Sequence, residues 1–233
     1  MNKKIGILAG MGPRSTAPFI DMIIQECAFQ YGAKFDMDFP AMLIYSLPTP
    51  FYPDRPIDHE KLSTAILAGL KELAGYNVDF IAMPCNIAHL YYNKMKDAVS
   101  VPLLNILDET VARIPQESRS VALFTARGTA ESGLYQQGVI ASGRTAVLKP
   151  EWQSALDALI MAVKKDGPND ANAQTMAELL ADAGRCSDCV IIGCTDLTLM
   201  IAGIGMDSRV LDSARCLASA TVARYVDLRS SES

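Results

Sequence analysis

Four apolar runs punctuate the first half of the chain, "KIGILAG", "FPAMLIYS", "VDFIAMP" and "VPLLNI", each continuous and bounded by Gly, Pro, Asn or Asp. Short continuous runs of this kind read as strands buried on both faces, as in parallel sheets. Between them, "TAPFIDMIIQECAFQYG" and "DHEKLSTAILAGLKELAGYN" carry apolar residues at helical spacing, with Ile66, Leu67, Leu70 and Leu73 on one stripe of the second. The second half repeats the alternation, with strands "SVALFT", "TAVLK" and "DCVIIG", helices over 130–142, 151–166 and 172–185, and a further helix after Thr195. Strand alternating with helix predicts an α/β protein built from parallel crossover units.

The halves resemble each other. "KIGILAGMGPRST" and "SVALFTARGTAES" each place a strand before a Gly-containing turn and a helix, and each is followed later by an apolar strand ending on a cysteine, "FIAMPCN" and "CVIIGCT". The pattern suggests an internal duplication. The expected division is 1–113 and 114–211, with a helix over 212–233 packing back onto the first half. A loop, "PTPFYPDRPIDH", contains four prolines and is stiff for that reason. The tail "RSSES" has no reason to be ordered.

Composition narrows the classes. At 233 residues, 50% hydrophobic and 20% charged, the chain has ample material for a core. A net charge of −5 without a Lys/Arg cluster argues against a nucleic-acid surface. No run reaches the roughly 18 apolar residues of a membrane span. The start "MNKKIGILAG" imitates a secretion signal, but Pro13 and Arg14 break the run without a cleavage site, so a cytoplasmic protein is expected. Six scattered cysteines fit reduced thiols, and "CSDC", with Cys186 and Cys189, is a lone pair in a chain with two histidines, so no metal site is expected. "AGMGP" lacks the full dinucleotide fingerprint.

Ligands of open parallel sheets bind at the carboxyl ends of the strands, where Cys85 and Cys194 fall. Either thiol can be a small apolar filler. Alternatively, a following helix start favours the thiolate, and two such thiols at equivalent places in two halves suit proton removal from one face of a carbon acid with delivery to the other. The stereocentre would invert.

Four motifs in order, "GMGPRST", "YPDR", "PCNIAH" and "GCTDL", resemble those of the aspartate/glutamate racemase family across essentially the whole chain. The resemblance implies two Rossmann-like domains related by pseudo-twofold symmetry, an active site between them, a homodimer, no cofactor, and racemisation of aspartate or glutamate. It makes Cys85 and Cys194 the acid/base pair, and Met11, Asn86, Ile87 and Thr195 lining of the substrate site. Arg55 and Lys164 match positions that bind acidic-substrate carboxylates, and Thr125 matches the opening turn of the second half. Two residues depart from the family pattern: Ile87 stands where Thr is usual, and Asp196 where Glu is usual. His89 is either a tuner of the Cys85 thiolate or a packed residue, and His59 is expected at a helix start on the surface. Competing readings are a maleate cis-trans isomerase, a hydantoin-type racemase, or a non-catalytic carboxylate-binding protein.

Overall fold

The computed structural model describes residues 3–201 and 208–231, so the last two residues of the "RSSES" tail and part of the expected second domain lie outside the described residues. The first sheet holds β1 (Lys4–Ala9), β2 (Ala41–Ser46) and β3 (Phe80–Ala82) in the order β2-β1-β3, all parallel. The second holds β4 (Ser120–Thr125), β5 (Thr145–Val147), β6 (Cys189–Gly193) and β7 (Val210–Asp212) in the order β5-β4-β6-β7. Beyond β3 a single parallel bridge joins Leu103 to Ile81, in the place β7 occupies in the other sheet. Two similar parallel-sheet halves are therefore present.

Helices connect these strands. They are α1 (Thr16–Tyr31), α2 (His59–Ala74), α3 (Tyr92–Ala98), α4 (Ile106–Val111), α5 (Arg127–Ser132), α6 (Leu134–Ala141), α7 (Pro150–Asp166), α8 (Asp170–Ala183), α9 (Thr195–Ile201) and α10 (Ser213–Ser230). Asp58 caps α2 through the Lys61 N–H, and Gly32, at φ 75°, ends α1 in the left-handed conformation that glycine adopts freely. In α1, Phe19, Ile23 and Cys27 recur one turn apart and are fully buried. No described helix is long and apolar enough to cross a membrane.

Three apolar clusters organise the molecule. One lies between β1 and α2, with Leu8, Leu62, Ile66 and Leu70; another lies between the second sheet and α7–α9, with Phe124, Leu156, Ile160 and Ile192. The third is shared, since Ile5, Ile7 and Phe19 of the first half join Leu123, Ile191, Leu217 and Val222. Burial of this kind stabilises at roughly 25 cal/mol per Å² of apolar surface, so the shared cluster holds the two halves together.

Several elements differ from the sequence pattern for identifiable reasons. "VPLLNI" forms one bridge rather than a strand, because Pro102 has no N–H and Asn105 already caps α4 through the Leu107 N–H. β2 is an edge strand, and its Ile44 is 47% exposed, so it is not buried on both faces. The helix expected over 130–142 divides into α5 and α6 at Gly133, whose φ is 71°. β7 carries too short an apolar signal to stand out. α10 continues through Ser230, so the tail is helical further than its polarity suggests.

Candidate active site

Met83 and Pro84 carry the chain from β3 to Cys85, whose N–H bonds the Met83 carbonyl at 2.8 Å. A 3-10 turn over Ile87–Tyr91 follows. Cys194 comes directly after β6 and directly before α9. The two strand ends open into one cavity of about 470 Å³ that both cysteines line. Met11, Asn86, Ile87, Lys164 and Thr195 line it too, so seven of the nine residues expected at the site share this space.

Two glycines make the close approach possible. Gly10, at φ 92°, turns the chain out of β1 where any Cβ would lie 2.6 Å from the Leu47 main chain. A Cβ on Gly193 would lie 2.6 Å from the Tyr135 ring, so the residue before Cys194 has to be this small. The Tyr135 hydroxyl in turn donates to Asn86 Oδ1 at 2.7 Å, and Asn86 Nδ2 donates to Ser213 Oγ at 3.0 Å. Tyr135 thus touches the residue before one cysteine and holds the residue after the other. From the glycine-rich turn, the Ser15 hydroxyl donates to the Gly12 carbonyl at 2.8 Å, and its oxygen lies 3.4 Å from Thr195 Oγ1.

The remaining two expected residues lie elsewhere. Arg55 lines an adjoining groove of about 460 Å³ that shares Phe51, Ala126 and Ile160 with the cavity. Its guanidinium bonds Asp54 at 3.2 Å and lies 4.4 Å from the centre of the Tyr52 ring, both on its own proline-stiffened loop. Thr125 ends β4 beneath the cavity wall; its hydroxyl is buried without a hydrogen-bond partner and its carbonyl accepts from Gln153. One residue not foreseen is Thr129, which lines the cavity with a buried hydroxyl that likewise has no partner. A second threonine four residues after Thr125, in "TARGTAES", is the signal that could have found it.

Electrostatics in the cavity run against the thiolate expectation. Burial pushes the Cys85 thiol up to about 11, with Asp196 adding to the rise and the Ala88 and Ile87 N–H groups and Lys164 opposing it. Burial pushes Cys194 up to about 12, again with Asp196 adding and the Asp196 and Leu197 N–H groups and Lys164 opposing. Desolvation outweighs the helix start and favours the protonated form of both thiols. Lys164 pairs with Asp196 at 2.8 Å, and although burial works against its charge, that pair keeps its pKa above the ordinary value. The ion pair packs against Gly12, where a Cβ would lie 2.8 Å from Asp196 Oδ1 and 3.2 Å from Lys164 Nζ.

His89 is a packed residue. Nε2 accepts from the Ile106 N–H at 3.3 Å, which leaves Nδ1 as the donor to the Cys85 carbonyl at 2.8 Å, and burial lowers its pKa. A neutral imidazole therefore fixes the backbone of Cys85 rather than its sulfur. His59 starts α2 as expected, exposed, with Nδ1 2.9 Å from the Tyr91 hydroxyl. Cys189 is buried in the shared cluster while Cys186 lies on the surface, and no group of three or more His, Cys, Asp or Glu among the described residues is arranged to hold a metal.

Comparison with known proteins follows the same lines. The chain matches the Asp/Glu/Hydantoin racemase family over residues 8–221. It is 42% identical over 226 residues to the broad specificity amino-acid racemase RacX of Bacillus subtilis, covering 97% of this chain and 100% of that protein. The aspartate racemase of Picrophilus torridus superposes with a TM-score of 0.83 at 24% identity, covering 96% of this chain and 94% of that one. Glutamate racemase RacE1 of Bacillus anthracis gives a TM-score of 0.68 at 14% identity, covering 98% of this chain and 82% of that one, and these two likenesses speak for the fold. The chain belongs to the Asp/Glu/hydantoin racemase family, isomerases of the amino-acid racemase class.

Proposed function

We propose that the protein racemises a free amino acid without pyridoxal phosphate, using Cys85 and Cys194 as paired acid and base at the α-carbon. The observation that carries this reading is the presence of both cysteines, from the carboxyl ends of two sheets, in one cavity. In the working state one cysteine is a thiolate and the other a thiol. The thiolate takes the α-proton and becomes a thiol; the opposite thiol gives its proton to the other face of the carbanion and becomes the thiolate. Charge and protons balance, and the reverse reaction starts from the opposite protonation state.

The remaining lining residues have roles in this reading. The hydroxyls of Thr195 and Thr129 and the amide of Asn86 are donors for the α-carboxylate, where charge accumulates as the α-proton leaves. Met11 and Ile87 shape the space around the α-carbon. Lys164 contributes positive potential to both thiols. Arg55 lines the adjoining groove and Thr125 supports the wall. The expectation of aspartate or glutamate rests on two cations, and of these only Lys164 lines the cavity, already paired.

Two further proposals concern the setting. Working thiols require a reducing compartment such as the cytoplasm. Phe29, Phe35 and Met37, each at least 76% exposed along one stretch of chain, suit a homodimer contact. The deciding experiment is incubation of each enantiomer of a panel of amino acids with the protein in deuterated water. Deuterium entering the α-position with loss of optical activity supports the proposal; no α-exchange with any amino acid sinks it.

A further inference from the structure

Among the described residues lining the cavity, the charged ones are Lys164 and Asp196, and they are paired with each other at 2.8 Å. The carboxylate side chain is 8% exposed and the lysine side chain 24%. Arg55, the other cation expected at the site, faces the adjoining groove and bonds Asp54. The apolar part of the lining is Leu47, Phe51, Leu62, Ile66, Ile87 and Ile160, and the Phe51 ring lies beside Lys164, its centre 5.6 Å from Nζ. Ile87 and Ile57 close tightly over Gly128, where a Cβ would lie 2.8 and 2.7 Å from their terminal carbons.

We infer that the cavity selects α-amino acids whose side chains are uncharged and largely apolar. The inference rests on the two-cysteine racemase reading and names its substrate class. Every α-amino acid brings the same ammonium and carboxylate, so discrimination falls to the side chain. A zwitterion adds no net charge to the cavity, whose Lys164 and Asp196 already cancel and whose one working thiolate is spent on the α-proton. A second carboxylate has to draw Lys164 away from Asp196, stranding a buried carboxylate, or lie unpaired against the apolar wall. A cationic side chain meets the converse obstacle, because Asp196 is already committed. An apolar side chain disturbs neither charge and gains contact with the wall.

The test is a charge swap read as ratios of kcat/KM. Wild-type protein turns over methionine or leucine at least about tenfold better than aspartate, glutamate or lysine. Asp196→Asn releases Lys164 and moves the ratio of glutamate to methionine upward by about tenfold, while Lys164→Met releases Asp196 and moves the ratio of lysine to methionine likewise. Asp196→Glu, which keeps the pair, leaves the ratios near wild type. A wild-type preference for a charged side chain, or unchanged ratios in Asp196→Asn, overturns the inference.

Protection of Cys85 and Cys194 from iodoacetamide, read by mass spectrometry, decides the matter for any form that turns nothing over. Protection by methionine and not by aspartate upholds the substrate class, and the reverse overturns it. Wild-type protein protected by methionine without exchanging its α-proton upholds the substrate class while sinking the racemase reading.

Discussion

Cys194 opens a helix and is the less buried thiol, while Cys85 opens only a 3-10 turn, yet both thiols are raised well above their ordinary value. On main-chain geometry alone Cys194 should be clearly the more acidic, because a helix start gathers unpaired N–H groups around the sulfur. Asp196 offsets that advantage. Its carboxylate sits two residues beyond Cys194, is the strongest influence after burial there, and ranks behind the Ala88 N–H at Cys85. The half with the better helix start also carries the charge that offsets it. Topological equivalence of the two strand ends therefore does not give their thiols the same surroundings, although Lys164 opposes Asp196 at both sulfurs.

Replacing either thiol breaks the comparison most severely. Cys85→Ser and Cys194→Ser should each lower racemisation by about 10³-fold or more, since a hydroxyl is a far weaker acid and inversion needs both groups. Residual α-proton exchange should survive with one enantiomer in each variant, and with opposite enantiomers in the two. Proton NMR in deuterated water measures both quantities. Full racemisation in either variant would refute the two-base mechanism, and residual exchange of the same enantiomer in both would refute the division of labour between the thiols.

Changing pH sharpens the comparison next. Both thiols are raised, so the singly ionised pair is scarce at neutrality and grows about tenfold per pH unit below the lower value. Because kcat/KM reports the free enzyme, it should rise roughly a hundredfold from pH 6 to pH 8. A flat profile over that range would mean that a thiolate already exists before substrate binds.

Much of this arrangement is legible in the chain, and the rest is hidden for physical reasons. The apolar runs of β1, β4 and β6 are continuous because these strands are buried in the sheet interiors, and the two cysteine motifs place the thiols at strand ends. The edge position of β2 and the single bridge at Leu103 depend on which neighbours a strand finds, which periodicity does not encode. The acidity of the thiols was misleading in the sequence because a helix start is a local pattern, whereas desolvation comes from residues far along the chain. Arg55 lies next to the site in its motif and outside the cavity in space, since Asp54 and Tyr52 hold it on its own loop. Tyr135 carries no chemical signature of its own, and its importance comes from reaching Asn86 and Gly193 together.

That reach can be tested with a smaller perturbation. Tyr135→Phe keeps the ring against Gly193 and removes the hydroxyl that holds Asn86 Oδ1 at 2.7 Å. Leaving a buried amide oxygen short of its donor should cost about 1–3 kcal/mol of stability. The catalytic effect should be near tenfold and confined to kcat, because a loosened Asn86 shifts the neighbouring Cys85 relative to the α-carbon. A fall in melting temperature without change in kcat would make Tyr135 a packing residue only.

Ile87→Thr should give the smallest effect, and the most informative about the first strand end. Ile87 is 9% exposed, lines the cavity and packs over Gly128, so shortening it opens the apolar wall and places a hydroxyl there. Loss of buried carbon should lower stability by about 1–2 kcal/mol. If the side chain of the substrate lies against Ile87, kcat/KM for methionine should fall a few-fold while that for glutamate holds or rises, because a hydroxyl can donate to a carboxylate and cannot replace the lost apolar contact. The ratio of the two substrates is the proper readout, since it cancels any general loss of folded protein. An unchanged ratio would place the substrate side chain away from Ile87, and the apolar wall would then begin at Leu62 and Ile66 on α2 instead of at the residue that follows Asn86.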